Sequence, residues 1–482
     1  MTGIPGFRYW KSHRADAEQY ASPTGFAQLR LSGLDRAVVA KVGDIEISGE
    51  EFFISYEIAP AFVKGNHPDD PRTAHLKYMI YEKLLALDGV AQNVLSRPDV
   101  GQILEEIRQD LAVTEMFRET VYDTVQIGEL EVVQAVSEAT LNINFKYVYA
   151  KSKQDLRVYQ NKLESGVTFD SFAIQGGAFS RELNFWEIKQ KDAVLAEELT
   201  KLTFHQLSDV IETPRGLYLA RVDTAWREMF ITPAKYNELL AKYKKRLKRK
   251  KVETLAYEYA AQRLEEANPV IKSLAFKQLL AYFEALEPSS TNDLTAALLG
   301  NWPGTLDRGS LENRQETTLA TTGFGNFTIE DFLDWYPLRR FPLNRQTEHD
   351  LAISLKKTIW RMVRDRVLAR EAYLAGFDQH PQVQEEMAWW QEKLVYWEAR
   401  EMLLADLNIT EELYTFEEGK RLQAYLNQKE QEIPVKIYQD ILDKIPVTDL
   451  NYSKPIDIAV FKKQGTFPRI AYPTIDRVWE RY

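Results

Sequence analysis

Tyrosines are among the side chains between Leu141 and Asp223 that could donate hydrogen bonds. Tyr147 lies in a run where aromatic and aliphatic residues alternate with polar or smaller ones, and Tyr218 follows a Pro-Arg-Gly turn. His205 is the only histidine in this stretch. A neutral phenol can donate a hydrogen bond. The types and spacing of these residues therefore allow hydrogen-bond donation by tyrosine hydroxyls.

Several other kinds of chemistry are excluded by composition. The 482-residue chain has no cysteine, and its six histidines are widely scattered. Thiolate catalysis, disulfides and cysteine-ligated zinc or iron–sulfur sites are therefore ruled out. No G-x-x-x-x-G-K-[ST] phosphate loop occurs, which argues against ATP-driven work. We expect no metal site and no cofactor. The net charge of −10 argues against a generic nucleic-acid binder.

The elements that must position the tyrosines follow a simple order. Alternation over residues 141–149 predicts a strand, and apolar residues at helical spacing before Gly166 predict a helix. A short second helix, a Gly176-Gly177 break and an aromatic turn come next. Two short apolar runs separated by Pro214 and Gly216 then predict a hairpin. The stretch is therefore predicted to be a small α+β domain.

This order of elements resembles the parvulin-type peptidyl-prolyl isomerase domain. The matching pieces occur at the family's spacing over about eighty residues. They are Leu163-x-x-Gly166-x-x-Phe169-x-x-Phe172-Ala173, Gly176-Gly177, Leu183-x-Phe185-Trp186 and Leu207-Ser208-x-Val210-x-x-Thr213-x-x-Gly216-x-Tyr218-Leu219-x-x-Val222. The resemblance implies an FKBP-like superfold for this domain. An unrelated small α+β domain is the alternative.

The active-site positions depart from this family. Its members usually carry one histidine in the first strand and another in the last hairpin, and here the alignment places Tyr147 and Tyr218 there. The methionine and phenylalanine that line the family's proline pocket fall near Lys191 and Leu195. Phe185 and Trp186 complete the set of residues expected around a degenerate pocket. The resemblance therefore identifies no residue as catalytic.

The departure weakens the expectation of catalysis. Prolyl isomerisation faces a barrier of about 18–20 kcal/mol from amide resonance. A catalyst needs an apolar slot for the ring and polar groups that favour the twisted amide. Tyrosine hydroxyls do not exclude this, but a cationic Lys191 in the slot wall would oppose ring binding because burying its charge is costly. We expect weak or no isomerase activity, and binding of client segments by Phe169, Phe172, Phe185 and Trp186.

The residues before this domain resemble a chaperone lobe. Residues 38–48 predict a strand, a Gly-Asp turn and a second strand, and Ser48 with Glu51 forms a capping box for the next helix. This phrase resembles the start of the chaperone lobe in periplasmic foldases of the SurA and PrsA type, where the lobe also precedes a parvulin domain. Helices are predicted from His75 to Leu95, from Gln102 to Val121 and from near Gly128.

The second half of the chain repeats this lobe. Residues 327–332 echo residues 45–52, and the helix at 355–374 with Pro381 mirrors the helix at 76–95 with Pro98. We therefore predict an α+β protein of two mainly helical chaperone lobes and one parvulin-like α/β domain. The predicted domains are an extended arm (1–35), a first lobe (36–140), the parvulin-like domain (141–226), a helical connector and linker (227–310), a second lobe (311–430) and a C-terminal strand and tail (431–482).

Residues 242–251 of the connector hold eight lysines and arginines. Lys244, Lys245, Arg246, Lys248 and Arg249 could contact anionic lipid headgroups or an acidic partner. The alternative is a solvated helix face, which is the usual role of a charge run. No run of 18 apolar residues occurs, and no export signal precedes the arm in this sequence. Met1 is expected to be either a true start or an initiator placed on a trimmed chain.

These features predict an ATP-independent periplasmic chaperone, associated with the membrane or free. Its partners would be unfolded polypeptides, such as outer-membrane or secreted proteins, and the outer-membrane assembly or secretion machinery. An active peptidyl-prolyl isomerase is the first alternative. A structural subunit of an envelope assembly or secretion machine is the second, motivated by the basic run and the aromatic C-terminal tail.

Overall fold

The computed structural model describes residues 23–59, 70–169, 171, 178–228, 232–285, 316–339, 341, 343–409 and 416–447. These residues form mainly helical segments with three small antiparallel sheets. The predicted α+β class is therefore confirmed. The chain divides into two compact units, one formed by residues 1–123 and 255–482 and the other by residues 124–254.

The first part of the larger unit is a strand hairpin followed by helices. Its elements are α1 (Pro23–Leu31), β1 (Val38–Val42), β2 (Ile45–Ser48), α2 (Gly49–Ile58), α3 (Pro71–Ala91), a 3₁₀ turn (Val94–Ser96), α4 (Pro98–Phe117) and a π turn (Arg118–Tyr122). Gly43 turns the hairpin with a φ of +57°, which glycine adopts at no steric cost. Pro71 and Pro98 begin α3 and α4, where the amide that proline lacks would be unpaired anyway.

The smaller unit holds the segment predicted to be parvulin-like. Its elements are α5 (Glu129–Thr140), β3 (Leu141–Ala150), α6 (Lys153–Glu164), β4 (Phe179–Asn184), α7 (Phe185–Lys191), α8 (Ala193–Lys201), β5 (Ile211–Thr213), β6 (Gly216–Arg227) and the first part of α9 (Pro233–Ala267). The strands form one antiparallel sheet in the order β4-β3-β6-β5. The predicted opening strand, first helix and closing hairpin are all present.

The remaining elements return to the larger unit. They are β7 (Val270–Ile271), α10 (Ser273–Ala285), β8 (Thr318–Thr322), β9 (Gly325–Thr328), α11 (Ile329–Arg339), α12 (Glu348–Leu374), a 3₁₀ turn (Phe377–Gln379), α13 (Pro381–Asp406), α14 (Phe416–Glu432), β10 (Val435–Ile437) and α15 (Gln439–Leu442). From β8 to α13 the order is that of β1 to α4.

The internal repeat extends to details of the helix starts. The Ser48 hydroxyl accepts from the Glu51 N–H at 3.1 Å, and the Thr328 hydroxyl accepts from the Asp331 N–H at 3.1 Å. Pro381 begins α13 after a 3₁₀ turn, as Pro98 begins α4. Equivalent residues therefore satisfy equivalent unpaired amides at the helix N-termini. We call residues 37–122 with 255–285 the first repeat, and residues 317–447 the second repeat.

The two repeats exchange their closing strands. β10, at the end of the second repeat, pairs with β1 of the first, and Ala40 lies opposite Ile437. β7, at the end of the first repeat, pairs with β8 of the second, and Ala320 lies opposite Ile271. Each three-stranded sheet is thus completed by the other half of the chain. The predicted C-terminal strand therefore belongs to a sheet that begins almost four hundred residues earlier.

The apolar cores show the same exchange. Tyr81 and Leu84 of α3 are buried in one cluster with Trp390 of α13 and Leu426 of α14. A second cluster packs Phe283 of α10 edge-on to Phe332 of α11, with a ring separation of 6.1 Å. Burial of apolar area stabilises a fold by roughly 25 cal/mol per Å². Each core therefore depends on residues from both repeats.

Buried ion pairs join the repeats beside these cores. Lys83 of α3, only 7% exposed, binds Glu51 at 2.9 Å and also Glu392 of α13. Lys393, the next residue of α13, binds Glu82 at 2.6 Å. Burial disfavours the charged form of Lys83, but Glu51 and Glu392 outweigh it and raise the pKa of the lysine. Removing one partner would leave a buried charge unpaired, which is strongly destabilising.

Three segments bear on the predicted boundaries. Pro23–Leu31 is a helix, so this part of the predicted extended arm is helical because its apolar Leu29 is fully buried. Residues 1–22, residues 286–310 of the predicted helical connector and linker, and the tail beyond residue 447 lie outside the described residues. Within the described part of the chain, no helix has the length and apolar character needed to cross a membrane.

Candidate functional site

The central strands β3 and β6 of the smaller unit bring the predicted tyrosines together. Alternate residues of a strand share a face, and Tyr147 and Tyr149 of β3 lie on the same face as Tyr218 of β6. Tyr149 is directly opposite Tyr218, and Tyr147 is opposite Ala220. The ring centroids of Tyr147 and Tyr218 are 5.8 Å apart. The two positions aligned with the family's histidines are therefore neighbours in the structure.

More aromatic rings extend this pair. The ring centroid of Tyr147 lies 5.6 Å from that of Phe145 and 5.3 Å from that of Phe179, both in stacked geometry. The ring centroid of Tyr149 lies 5.2 Å from that of Tyr218. We call these five residues the aromatic cluster. Such pairs add about 0.5–1.5 kcal/mol each beyond their burial. Phe179 keeps 42% of its surface exposed, so the cluster reaches solvent at β4.

The Tyr218 phenol has a perturbed environment. Burial, and then the negative charge of Asp192, raises the pKa of Tyr218, which is 8% exposed. The Tyr149 hydroxyl donates to the Arg215 carbonyl oxygen at 2.8 Å, which fixes its ring against the β5–β6 turn. The raised pKa of Tyr218 keeps its hydroxyl a hydrogen-bond donor near neutral pH.

His205 does not supply the missing imidazole. Its side chain is 71% exposed, and Nδ1 lies 3.8 Å from the Asp223 carboxylate rather than beside the aromatic cluster. Its backbone is left-handed, with φ +63°, and its N–H donates to the Val222 carbonyl at 2.8 Å. His205 therefore shapes the turn before β5.

The two residues aligned with the family's proline pocket separate in the structure. Leu195 of α8 is buried in the same cluster of side chains as Tyr218. Lys191, the last residue of α7, is exposed. The structure therefore brings Leu195 to the tyrosines and leaves Lys191 in solvent, where its charge carries no burial penalty.

Asp192 is a site residue that sequence reasoning missed. Its Oδ1 accepts from the Leu195 N–H at 3.1 Å and so caps α8. Its Oδ2 is buried and accepts no hydrogen bond from the described residues, and the residue is 7% exposed. The cap could have been found from an aspartate placed just before the apolar spacing of α8. Its burial beside Tyr218 has no local sequence signal.

The predicted client-binding aromatics have three different environments. Phe185 packs against the cluster beneath the sheet, and Lys189 lies 5.8 Å from its ring. Trp186 packs edge-on to Tyr243 of α9, with ring centroids 5.1 Å apart. Phe169 is 3% exposed in a separate cluster with Val148. Phe172 lies outside the described residues. The structure thus gives Phe169 and Trp186 packing partners within their own unit.

The basic run on α9 is partly engaged by the same unit. The Arg246 guanidinium lies 5.4 Å from the rings of both Trp186 and Tyr243. Just beyond the predicted contact residues, Lys251 binds Glu131 at 2.8 Å. Arg249 is 3.8 Å from Glu253 on its own helix, and Lys248 is partly buried. Lys244 and Lys245 are exposed, so they are the residues of the run best placed to meet an external anion.

A cluster of metal-ligand types occurs in the larger unit, where none was predicted. Ligand atoms of Glu115, Glu119 and His380 lie within 4.8 Å of one another. The Glu115 carboxylate already accepts from Arg118, whose Nε lies 3.0 and 2.9 Å from its two oxygens. A guanidinium in bidentate contact supplies the positive charge that a metal would supply. The arrangement is that of an ion-pair network.

Three solved structures are similar to parts of this chain. PrsA of Bacillus anthracis, a peptidylprolyl isomerase, is 12% identical; the match covers 39% of this chain and 97% of that one, with a TM-score of 0.21. A structure of SurA-like chaperones from Campylobacter jejuni is 16% identical over 48% and 98% of the chains, with a TM-score of 0.23. PrsA of Bacillus subtilis is 14% identical over 46% and 93%, with a TM-score of 0.16.

Comparison by sequence gives no match. No protein-family model fits the chain, and no curated protein matches it.

Proposed function

We propose that this protein is an ATP-independent chaperone of the bacterial cell envelope that holds unfolded polypeptides. The observation that carries the proposal is the aromatic cluster. It occupies the face of an isomerase-like antiparallel sheet on which the sequence resemblance places two histidines. Tyr147 and Tyr218 replace both imidazoles with rings that bind apolar groups. A degenerate parvulin-like domain of this kind binds a client segment without catalysing prolyl isomerisation.

The energetics of the cluster suit reversible binding. Covering exposed aromatic surface gains roughly 25 cal/mol per Å², and Phe179 offers such surface at the free end of the cluster. Ordering a client segment costs free energy that offsets much of this gain. Affinity therefore stays modest, and a client leaves once its own folding hides the side chains that were held. No nucleotide is required for this cycle.

The two repeats serve as helical chaperone lobes; they overlap the predicted lobes at 36–140 and 311–430 and also include residues 255–285 and 431–447. The exchanged strands β7 and β10 hold both repeats in one compact unit, so they are presented together. A client spanning more than one binding surface gains from the high effective concentration of the second surface. Lys244 and Lys245 provide a contact for anionic lipid or an acidic partner, consistent with work at a membrane surface.

Catalysis of prolyl isomerisation is the second candidate. Its support is the pair of neighbouring phenol hydroxyls at Tyr147 and Tyr218, which can hydrogen-bond an amide. Because Leu195 is buried rather than open to a proline ring, and no imidazole joins the described cluster, we assign this activity a minor role. A proline-tetrapeptide assay tests it. Rate enhancement by the parent chain that falls in Tyr147→Phe and Tyr218→Phe would establish the enzyme.

A light-scattering assay without nucleotide tests the chaperone function. A urea-denatured outer-membrane β-barrel protein is diluted into buffer with or without the full chain. We expect aggregation to fall as the chain is added, with no change when ATP is present. Phe179→Ser should weaken this protection. Phe204→Ser is the matched control, since Phe204 is 52% exposed in the same unit but lies outside the cluster. Serum albumin at the same concentration serves as the non-chaperone control. If the client aggregates as much with the full chain as with serum albumin, the proposal is refuted.

A further inference from the structure

We infer that the aromatic cluster selects client segments carrying a lysine or arginine side chain, with Asp192 as the counter-charge. This inference rests on the proposed function and names the class of segment that its site prefers. The binding group on the client is a primary ammonium or a guanidinium. The binding groups on the protein are a buried carboxylate and the rings of Tyr147, Tyr149 and Tyr218.

The carboxylate is the first observation. Asp192 is 93% buried, and its Oδ1 is occupied by the Leu195 N–H at the start of α8. Its Oδ2 is also buried but has no hydrogen-bond donor among the described residues. Leaving a buried charged acceptor unpaired costs several kcal/mol unless a partner arrives. A cation brought by a ligand would supply that partner.

The position of the carboxylate is the second observation. Asp192 holds the N–H of Leu195, and the Leu195 side chain is buried in the same cluster as Tyr218. The charge of Asp192 also raises the pKa of the Tyr218 phenol. The exposed Arg215 acts on Tyr218 in the opposite direction and more weakly. Of the charged side chains that act on Tyr218, the negative Asp192 therefore has the larger effect, and the local field at this phenol is negative. Such a field favours a cationic side chain over a neutral proline ring.

The rings supply the third observation. The faces of aromatic rings attract cations, most strongly where water is excluded. The molecule already uses this at the edge of the cluster, where the Arg181 guanidinium lies 5.8 Å from the Phe179 ring. A lysine or arginine stem would pack on the rings while its charged end reached toward Asp192. Unfolded segments with alternating aromatic and basic residues fit such a surface.

Fluorescence anisotropy with short labelled peptides tests the inference on the full chain. The peptides are identical except at one position, which is lysine, arginine, norleucine, glutamate or proline. We expect the lysine and arginine peptides to bind about tenfold more tightly than the norleucine peptide. Glutamate should bind least well. Equal affinity for lysine, norleucine and proline peptides would overturn the inference without any variant.

The Asp192→Asn variant separates the charge of this side chain from its role as the cap of α8. Asparagine caps helices as well as aspartate does, so α8 keeps its start while the site loses its charge. The preference for lysine over norleucine should vanish in this variant and persist in Asp209→Asn, which removes an exposed carboxylate of the same unit. Persistence in Asp192→Asn would refute the assignment. Light scattering on the same samples distinguishes the two proposals, since lost client protection with retained lysine preference would refute only the chaperone function.

Discussion

The hydroxyl of Tyr259 donates a hydrogen bond to the carboxylate of Glu371. Arg263, one helical turn after Tyr259, also binds Glu371, at 2.9 Å. The same pattern recurs where Tyr425 and Lys429 of α14 bind Asp88 of α3. In both places two side chains of one long helix, α9 or α14, bind a carboxylate on a helix of the other repeat. We call each set of contacts a clamp. The exchange seen in the sheets is therefore fixed by polar contacts as well.

Removing either phenol should destabilise the larger unit. We expect Tyr259→Phe and Tyr425→Phe each to lower the free energy of unfolding by about 1–2 kcal/mol, because a carboxylate then loses a partly buried hydrogen-bond donor. Urea titration followed by circular dichroism measures this. Tyr257→Phe is the control on the same helix, since that ring is 63% exposed and its variant should unfold like the parent. If the urea midpoints of all three variants equalled that of the parent, the two phenol contacts would not stabilise the larger unit.

Protonation of Asp88 at low pH should weaken its contacts with Tyr425 and Lys429. Burial opposes ionisation of this group, but hydrogen bonds from Lys429 and Tyr425 outweigh it and hold its pKa below the usual 3.8. A lowered folded-state pKa stabilises the fold above the unfolded-state value and loses that contribution as pH falls through the folded-state value. Asp88→Asn should therefore be less stable than the parent at neutral pH, and the gap should narrow below pH 3.8. A gap that is constant with pH would exclude this linkage.

Engineered disulfides can verify the strand exchange. The chain has no cysteine, so a pair introduced at Ala40 and Ile437 can bond only with each other within one molecule. These residues lie directly opposite each other across β1 and β10, where paired Cα atoms are about 4.5–5.5 Å apart. That spacing suits a disulfide. We expect Ala40→Cys with Ile437→Cys to oxidise to a crosslinked monomer, detected by a mobility shift on non-reducing gels.

The equivalent pair in the other sheet is Ile271→Cys with Ala320→Cys, which should also crosslink. The mismatched pair Ala40→Cys with Ile271→Cys joins different sheets and should stay reduced under the same oxidation. A crosslink in the mismatched pair but in neither matched pair would show that each repeat keeps its own closing strand.

Gly216 should be intolerant of a side chain. Its φ is +149°, and a Cβ placed there would approach the Tyr149 ring to 2.6 Å and the Ala150 carbonyl oxygen to 2.9 Å. Gly216→Ala must therefore shift the β5–β6 turn that holds the Tyr149 hydroxyl. We expect a loss of about 1–3 kcal/mol in stability and weaker client protection. Gly101→Ala, where a Cβ meets nothing within 4 Å, should behave like the parent.

We expect the residues of the basic run to have two different roles, packing within the smaller unit and contact with anions. Arg246→Ala should destabilise the smaller unit by about 0.5–2 kcal/mol because its guanidinium leaves the rings of Trp186 and Tyr243. The double variant Lys244→Ala/Lys245→Ala should leave stability unchanged. It should weaken the free energy of binding to anionic phosphatidylserine vesicles by about 1 kcal/mol per residue at low salt, measured as less protein sedimenting with the vesicles. Unchanged sedimentation would leave these lysines as a solvated helix face.

Local sequence was enough to predict many individual elements. The alternation ending at Tyr149 gave a strand with its rings on one face, and Ser48 marked a helix start that the structure confirms. Pro98 was predicted to interrupt the helical pattern, with the next helix beginning at Gln102, whereas that helix begins at Pro98 itself. These signals work because caps, proline and periodicity act within a few residues. The opening strand, the first helix and the closing hairpin of residues 141–227 followed from the same short-range rules, whereas strand β4 was not predicted.

The partners of those elements were decided only by the tertiary structure. Two similar repeats present two similar sheet edges, so no short-range rule states whether β10 closes its own hairpin or the one at β1. Likewise, Asp192 reads locally as a helix cap, and only packing places its second oxygen in a buried position near Tyr218. Propensity is set by neighbours in the chain, whereas pairing and burial depend on residues far away in sequence that meet when the core forms.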